Sequence, residues 1–330
     1  MSRIKQGFDG AMEMSRVVTF ESSNNEASTT ILLIHGVAAS GQDWNLVCSH
    51  ISKDYHILLP SLFTNDSMSR AREARQDSPN LRWQDVYADL LAELIRQQAK
   101  SGQAHVVGLS LGACFALNLN ARHPELCLSL FMSGLPQPLP PRLANFPGVG
   151  TAGFWFGNRL SEMLGPSVVG KILQNKVDLG PGSWFSDGKN KSSYEMCRVC
   201  IETIIEARTI PVIRLKLANV TGEQQSAATK DKYRVRIVAA TKTTSLTPVN
   251  DSPAWAANIA AHLQATGTTA ETTSAVQIDA QVYEAPNMFH PWNRQDPSLF
   301  AACILGTVTG NDEVFASHEL KRFYLKRQPT

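Results

Sequence analysis

Apolar positions change their spacing along this chain, and the changes mark out alternating strands and helices. Thr29 to Ile34, TTILLI, is a β-rich run that stops at His35-Gly36, and its continuous apolarity predicts a central strand covered on both faces. A polar turn follows, then a helix candidate from Trp44 to Ile51 and a second strand at Tyr55 to Leu59, ended by Pro60. From Leu81 to Gln98, Leu81, Val86, Leu90, Leu91, Leu94 and Ile95 fall close to helical spacing, with acids early and Lys100 late, as a helix dipole favours. After Gly102 the chain reads AHVVGLSLGACFALNLNARHPE: a short strand, a tight Gly-Ser-Gly turn and a helix running toward His123-Pro124. Further strands are predicted at Leu128 to Met132, Val235 to Ala240 and Ala275 to Tyr283. This alternation implies an α/β fold, a largely parallel sheet with helices on both faces.

Leu135 to Leu217 differs in character. It opens with LPQPLPPR and carries Phe154, Trp155, Phe156, Trp184 and Phe185. A structureless loop of that length is implausible inside a domain, so the segment is expected to form a small helical cap. The division is then a core of residues 1–134 and 218–330 with a cap of residues 135–217. No internal repeat or low-complexity tract interrupts this plan.

Composition narrows the classes of function. The chain has 330 residues, 43% hydrophobic and 18% charged, with a net charge of +2. Without a basic stripe that balance gives no electrostatic footprint for nucleic acid or anionic lipid, so neither is expected as a partner. No apolar run approaches a membrane span, MSRIKQGFDGAMEMSR lacks the apolar stretch of a signal peptide, and KRQPT is no organelle address, so a cytoplasmic location is expected. The six cysteines are thinly spread and read as reduced, buried thiols. Cys197 and Cys200 have CxxC spacing but no second pair or histidine partner, and they read as helix residues one turn apart; no metal and no cofactor is expected. Nothing in the pattern speaks to oligomeric state.

The sharpest chemical signal is Gly108-Leu109-Ser110-Leu111-Gly112, a G-x-S-x-G sequence between a strand and a helix. Such a turn needs glycine on either side because the serine backbone is strained and the following helix packs closely. A serine hydroxyl is a poor nucleophile until a base takes its proton, which calls for a histidine on a later loop. Of eight histidines, His290 in NMFHPWNRQDPSLFA is the best placed, after the last strand and before a helix beginning near Pro297. His35 belongs to the first strand's turn, His105 leads into the elbow strand, His123 caps a helix, and His262 and His318 lie on helix-like segments. Acyl transfer also needs donors for a developing oxyanion, and the backbone amides of Leu111 and Val37 are candidates.

ILLIHG, HVVGLSLGA and MFHPWN, in that order, resemble the α/β-hydrolase superfamily, over most of the chain from about Thr29 to Gly306. The resemblance implies an eight-stranded, mostly parallel sheet with a lid inserted after the strand at Leu128 to Met132. It also implies Ser110 as nucleophile, His290 as general base, and Val37 and Leu111 as the oxyanion hole. One feature departs from the pattern. Where similar hydrolases carry an aspartate after the penultimate strand, this chain reads Ala240-Thr241-Lys242-Thr243-Thr244-Ser245-Leu246-Thr247-Pro248, and the alternative position holds Ser133-Gly134. Asp251 comes several residues late and looks like a helix N-cap, while Asp279 and Glu284 lie in or beside the last strand. Any of the three is open to recruitment, and a bare Ser110–His290 dyad is a further expectation.

The expected function is a serine-dependent acyl hydrolase of esterase, thioesterase or lactonase type. It would act on a small to medium apolar molecule held under Phe154, Trp155 and Trp184. The absent carboxylate favours an alternative: a non-hydrolytic lyase, cyclase, isomerase or acyltransferase of specialised metabolism, with His290 as acid or base. A third reading is a noncatalytic binding protein. Relatives that open epoxides or remove halogens carry aspartate at the position of Ser110, which disfavours those chemistries.

Overall fold

The computed structural model describes residues 12–14, 18–37, 39–51, 53–137, 146–164, 194–206, 232–242, 251–266, 277–290, 292–317 and 319–324. Among them, nine strands form one sheet: β1 (Met12–Met14), β2 (Thr19–Ser23), β3 (Thr29–Ile34), β4 (Tyr55–Ser61), β5 (Ala104–Leu109), β6 (Cys127–Ser133), β7 (Lys232–Ala240), β8 (Gln277–Ala285) and β9 (Lys321–Arg322). Their order across the sheet is β1-β2-β4-β3-β5-β6-β7-β8-β9. From β4 to β8 every pairing is parallel, while β1 and β2 at one edge and β9 at the other pair antiparallel. The eight-stranded, mostly parallel sheet is therefore present, extended by the two-residue edge strand β9.

Alternate residues of the central strands feed two separate cores. Leu32 and Ile34 of β3, Val106 of β5 and Leu130 of β6 pack with the helices Trp83–Gln98, Leu111–Arg122 and Pro253–Thr266. Ile31 and Leu33, Val107 and Leu109, and Phe131 pack on the opposite face with Trp44 and the helix Pro297–Thr309. Burial on both faces is why TTILLI carries no inside-outside alternation.

The six central parallel strands are those the sequence pattern predicts: β3 keeps its predicted bounds, β8 is shifted two residues on, and β4, β6 and β7 run longer. The helix at Leu81 to Gln98 starts at Trp83, where Asp85 of the first turn accepts from the Arg82 N–H at 3.2 Å. Two local expectations fail. β4 does not stop before Pro60 but runs to Ser61. The parallel ladder with β3 has ended at the Leu32–Leu58 pair, so Pro60 faces only the antiparallel neighbour β2 and its missing N–H is tolerated. The segment from Trp44 to Ile51 is a 3₁₀ turn, Gly41–Trp44, and a single helical turn, Asn45–Cys48. The polar helix Asn65–Asp77 escapes the pattern because only Ser67, Met68 and Ala71 of its thirteen residues are buried.

Two helices are described within residues 135–217, at Pro147–Leu164 and Tyr194–Glu206. The second joins the main core through Met196, Cys197, Val199 and Cys200. It is fastened at its surface by Arg72 to Glu195 and by the Trp83 indole N–H to Glu202 Oε2 at 2.5 Å. Cys197 and Cys200 are buried, one turn apart, as their spacing suggests.

Phe300 is the hub of the second core: fully buried, its ring lies 4.4 Å from Trp292, 5.4 Å from Phe131 and 5.6 Å from Trp44. Phe300→Ala is expected to lower unfolding free energy by about 3–5 kcal/mol in urea denaturation. A loss below about 1 kcal/mol would show that these rings do not depend on one another.

Candidate active site

The strand β5 ends at Leu109 and the helix Leu111–Arg122 begins two residues later, so Ser110 alone makes the turn. It does so at φ 56° and ψ −123°, a left-handed backbone that costs a non-glycine residue of order 1–3 kcal/mol. The turn is held by the Ser110 N–H, which donates to the Ser133 carbonyl at 2.8 Å. Both flanking glycines are required by contact. A Cβ on Gly112 would collide with the carbonyls of Ile34 and His35, and one on Gly108 would run into the backbone of Gly112 and Ala113.

The imidazole of His290 meets this hydroxyl. Its Nε2 lies 2.9 Å from Ser110 Oγ, and its Nδ1 lies 2.6 Å from Asp251 Oδ1. The roles follow: Nδ1–H donates to the carboxylate, which leaves the Nε2 lone pair to accept from the serine. Burial pushes the imidazole pKa down, but the charge of Asp251 and its hydrogen bond outweigh this and hold it above the ordinary histidine value. Gly134, just after β6, has φ +68°, and a Cβ there would stand 2.7 Å from His290 Cε1, so the ring packs directly on backbone.

The usual position directly after β7 carries no acid, and of the three carboxylates left open by the sequence, Asp251 is thus the one behind His290, in place of a bare dyad. It is not the N-cap its sequence suggests; Ser252 Oγ takes that role by accepting from the Trp255 N–H at 3.1 Å. Asp251 is tied back to the end of β7: its N–H donates to the Ala240 carbonyl at 3.0 Å, and its Oδ2 accepts from the Ala240 N–H at 2.8 Å. Asp279 and Glu284 have other partners. Asp279 pairs at 2.9 Å with the buried Arg236, and Glu284 accepts from Thr241 Oγ1 at 2.8 Å.

The turn after β3 passes beside the same hydroxyl, since a Cβ on Gly36 would lie 3.1 Å from Ser110 Cβ and 3.7 Å from Oγ. Val37 follows directly. His35 is fully buried, which pushes its pKa down; Nε2 accepts from the Leu62 N–H at 3.0 Å, leaving Nδ1–H to donate to the Gly36 carbonyl at 2.7 Å. That last bond fixes the plane of the peptide whose N–H belongs to Val37. Leu111 supplies the first amide of its helix, at the positive end of the dipole. Among the other histidines, His105 is bonded to Ser129 and burial drives its pKa down to about 3, while His123 meets Asp89 on the helix surface.

The aromatic residues expected over the site are less informative. Trp155 is half-buried and edge-on to Tyr194 at 6.2 Å, Phe156 is 65% exposed, the Phe154 side chain is not described, and Trp184 lies outside the described residues. No group of three or more metal-ligating side chains occurs among the described residues, and none of their helices is long and apolar enough to cross a membrane.

Comparison with known proteins agrees with this fold. The family described as alpha/beta hydrolase fold matches residues 29–194, half of the chain. This chain belongs to that family. An alpha/beta hydrolase superfamily protein from Gibberella zeae (strain PH-1) is 34% identical over 122 residues, 37% of this chain and 40% of the relative, so the match spans well under half of that protein. Among solved structures, the N-acyl homoserine lactonase AidH with N-butanoyl homoserine aligns at 16% identity and a TM-score of 0.56, over 96% of this chain and 100% of that one. A thermophilic esterase from Thermogutta terrifontis aligns at 11% and 0.56 over 92% and 99%. The putative non-heme bromoperoxidase BpoC of Mycobacterium tuberculosis aligns at 14% and 0.58 over 90% and 97%. These likenesses speak to the alpha/beta hydrolase fold.

Left-handed backbone at Ser110 makes a stability prediction. Ser110→Gly relieves the strain whereas Ser110→Ala keeps the Cβ, so the glycine variant should melt higher, by about 1 kcal/mol after glycine's entropy cost. Calorimetry on the two variants checks this, and an alanine variant of equal or greater stability would mean that the turn is unstrained.

Proposed function

We propose that this protein is a serine-dependent acyl hydrolase, acting on an ester, thioester or lactone with an apolar body through Ser110, His290 and Asp251. The observation that carries the reading is the unbroken chain of contacts, 2.9 Å from serine to imidazole and 2.6 Å from imidazole to carboxylate. Ser110 Oγ attacks the carbonyl carbon as its proton passes to His290 Nε2. The carbonyl oxygen becomes an oxyanion facing the Val37 and Leu111 amides. Collapse breaks the bond to the leaving alcohol or thiol, which takes the proton from His290 and leaves an acyl group on Ser110. Water then attacks that acyl group, its proton going to His290, and the carboxylic acid departs as Ser110 Oγ recovers the proton.

Asp251 sets the tautomer and stabilises the imidazolium formed in each half-reaction. The esterase and lactonase among similar structures carry chemistry of this class. Residues 135–217 would serve as the cap, with Phe154, Trp155 and Trp184 as candidate contacts for the apolar body. The lyase or cyclase alternative drew its support from a missing carboxylate, and Asp251 removes that support.

Labelling by a fluorophosphonate tests the reading: the wild type should label and Ser110→Ala should not. Labelling that persists in Ser110→Ala, or turnover of a p-nitrophenyl ester unchanged by it, would overturn the assignment. Asp251→Asn should lower kcat by about 10⁴, as a mis-set tautomer does in serine proteases.

The pH profile follows from the raised histidine. Only neutral His290 accepts the serine proton, so kcat/KM should climb with pH and level off above the elevated imidazole pKa, inflecting above the ordinary histidine value. Asp251→Asn removes the charge that raises it, so its residual activity should show the inflection at lower pH. An inflection unmoved by the substitution would mean that another group controls the profile.

A further inference from the structure

Four consecutive side chains just past His290 tie this loop at three places: the ends of β6 and β7, Asp43, and the loop's own backbone before His290. The Trp292 indole N–H donates to Ser133 Oγ at 2.8 Å, and that hydroxyl donates to the Val238 carbonyl at 2.9 Å, fastening the segment to the ends of β6 and β7. Asn293 Nδ2 donates to the Asp43 carbonyl at 3.3 Å and to its Oδ2 at 3.2 Å. Arg294 donates to Asp43 Oδ1 through Nε at 2.6 Å, with Nη2 at 2.6 Å from the same oxygen. Gln295 turns back: its Oε1 accepts from the Phe289 N–H and its Nε2 donates to the Asn287 carbonyl, both at 2.9 Å. Trp292 and Asn293 are fully buried, and the side chains of Asp43 and Arg294 are 5% and 6% exposed.

Asp43 belongs to the turn Gly41–Trp44, a few residues beyond Val37 on the connection that leaves β3. The buried ion pair therefore joins the loop bearing an oxyanion donor to the loop bearing the base, segments some 250 residues apart in sequence. Ion pairs taken out of water contribute little net stability, and well-packed apolar residues often replace them without loss. What such a pair does supply is direction. His290 sits on irregular backbone, and neither its bond to Asp251 nor its packing on Gly134 fixes the main chain that carries the ring, so a productive angle to Ser110 Oγ needs the loop itself to be held.

We propose that Trp292, Asn293, Arg294 and Gln295, with Asp43, form a positioning clamp that holds His290 and the Val37 turn in mutual register for proton transfer from Ser110. The clamp touches no substrate, and it rests on the hydrolase reading for its purpose.

Removing either charge alone would shift the imidazole by electrostatics, so the pair is removed together, as Asp43→Asn with Arg294→Met. Two readouts are taken. The first is the proton of the short His290–Asp251 hydrogen bond, observed by NMR far downfield of the amides. The second is the steady-state hydrolysis of a p-nitrophenyl ester with the rate of fluorophosphonate labelling. The clamp predicts a resonance that is lost or broadened and a kcat and labelling rate lowered by about 10²-fold, with KM changed by less than about threefold. A double variant that folds, keeps the resonance and labels at the wild-type rate would overturn the proposal.

If circular dichroism shows that variant unfolded, Gln295→Met takes its place. That neutral change at a partly exposed side chain removes both bonds to the backbone just before His290. It should lower kcat several-fold and move the acid limb of the profile to lower pH, and an unchanged kcat and acid limb would reject the clamp. Failure of the hydrolase reading looks different: the wild type itself would not label, while the resonance would still report whether the clamp holds the imidazole.

Discussion

The short bond between His290 and Asp251, passed on to Ser110, is the contact around which the rest of the molecule is arranged. Its members come from positions 39 and 180 residues apart along the chain, and bringing them within 3 Å costs conformational entropy that no local interaction repays. The parallel sheet meets that cost once for all of them. Because β3, β5, β6, β7 and β8 run the same way, their ends lie along one edge, and Gly36, Ser110, Gly134, Asp251 and His290 all belong to the connections leaving that edge. The register puts Ile34 beside Gly108 and Leu109 beside Ser133, so the turns after β3, β5 and β6 are neighbours before any polar contact forms.

What could be read from the sequence follows from which signals are local. The central strands β3, β5 and β6 announce themselves as apolar runs because both faces are buried, β8 by alternation instead, and the elbow announces itself because backbone contact at Gly108 and Gly112 forbids any side chain. His290 is legible from its place after the last strand. Asp251 is legible only as one of three candidates, since its sequence neighbours, Asn250 before and Ser252-Pro253 after, describe a helix start and nothing local says that the chain doubles back onto Ala240. The signal was present as a redundancy: Ser252 can cap the helix by itself, which leaves the aspartate spare. The clamp was hidden for the same reason, because Asp43 and Arg294 are unremarkable charges until the fold buries them against each other.

Strain and support are distributed accordingly. Ser110 is held at positive φ by three kinds of neighbour: the Ser133 carbonyl on its N–H, the Ile34 and His35 carbonyls against Gly112, and the Gly36 turn against its Cβ. Ser133 serves twice more, through its hydroxyl to Val238 and from Trp292. The end of β6 thus supports the nucleophile through its main chain and the base through its side chain, and a disturbance there would reach both.

This economy also explains why the acid can sit so far along the connection after β7. A triad needs only that a carboxylate oxygen arrive within hydrogen-bonding distance of Nδ1, at a fixed angle; it places no demand on the length of chain that brings it. Ala240 is the last residue of β7 and pairs with Asp251 through both its N–H and its carbonyl, one bond to the side chain and one to the backbone. Those two bonds return the chain to the strand end whatever lies between, since loop-closure entropy rises only slowly with length. The position of the acid is fixed by a strand terminus, which is why counting residues from that terminus fails to find it.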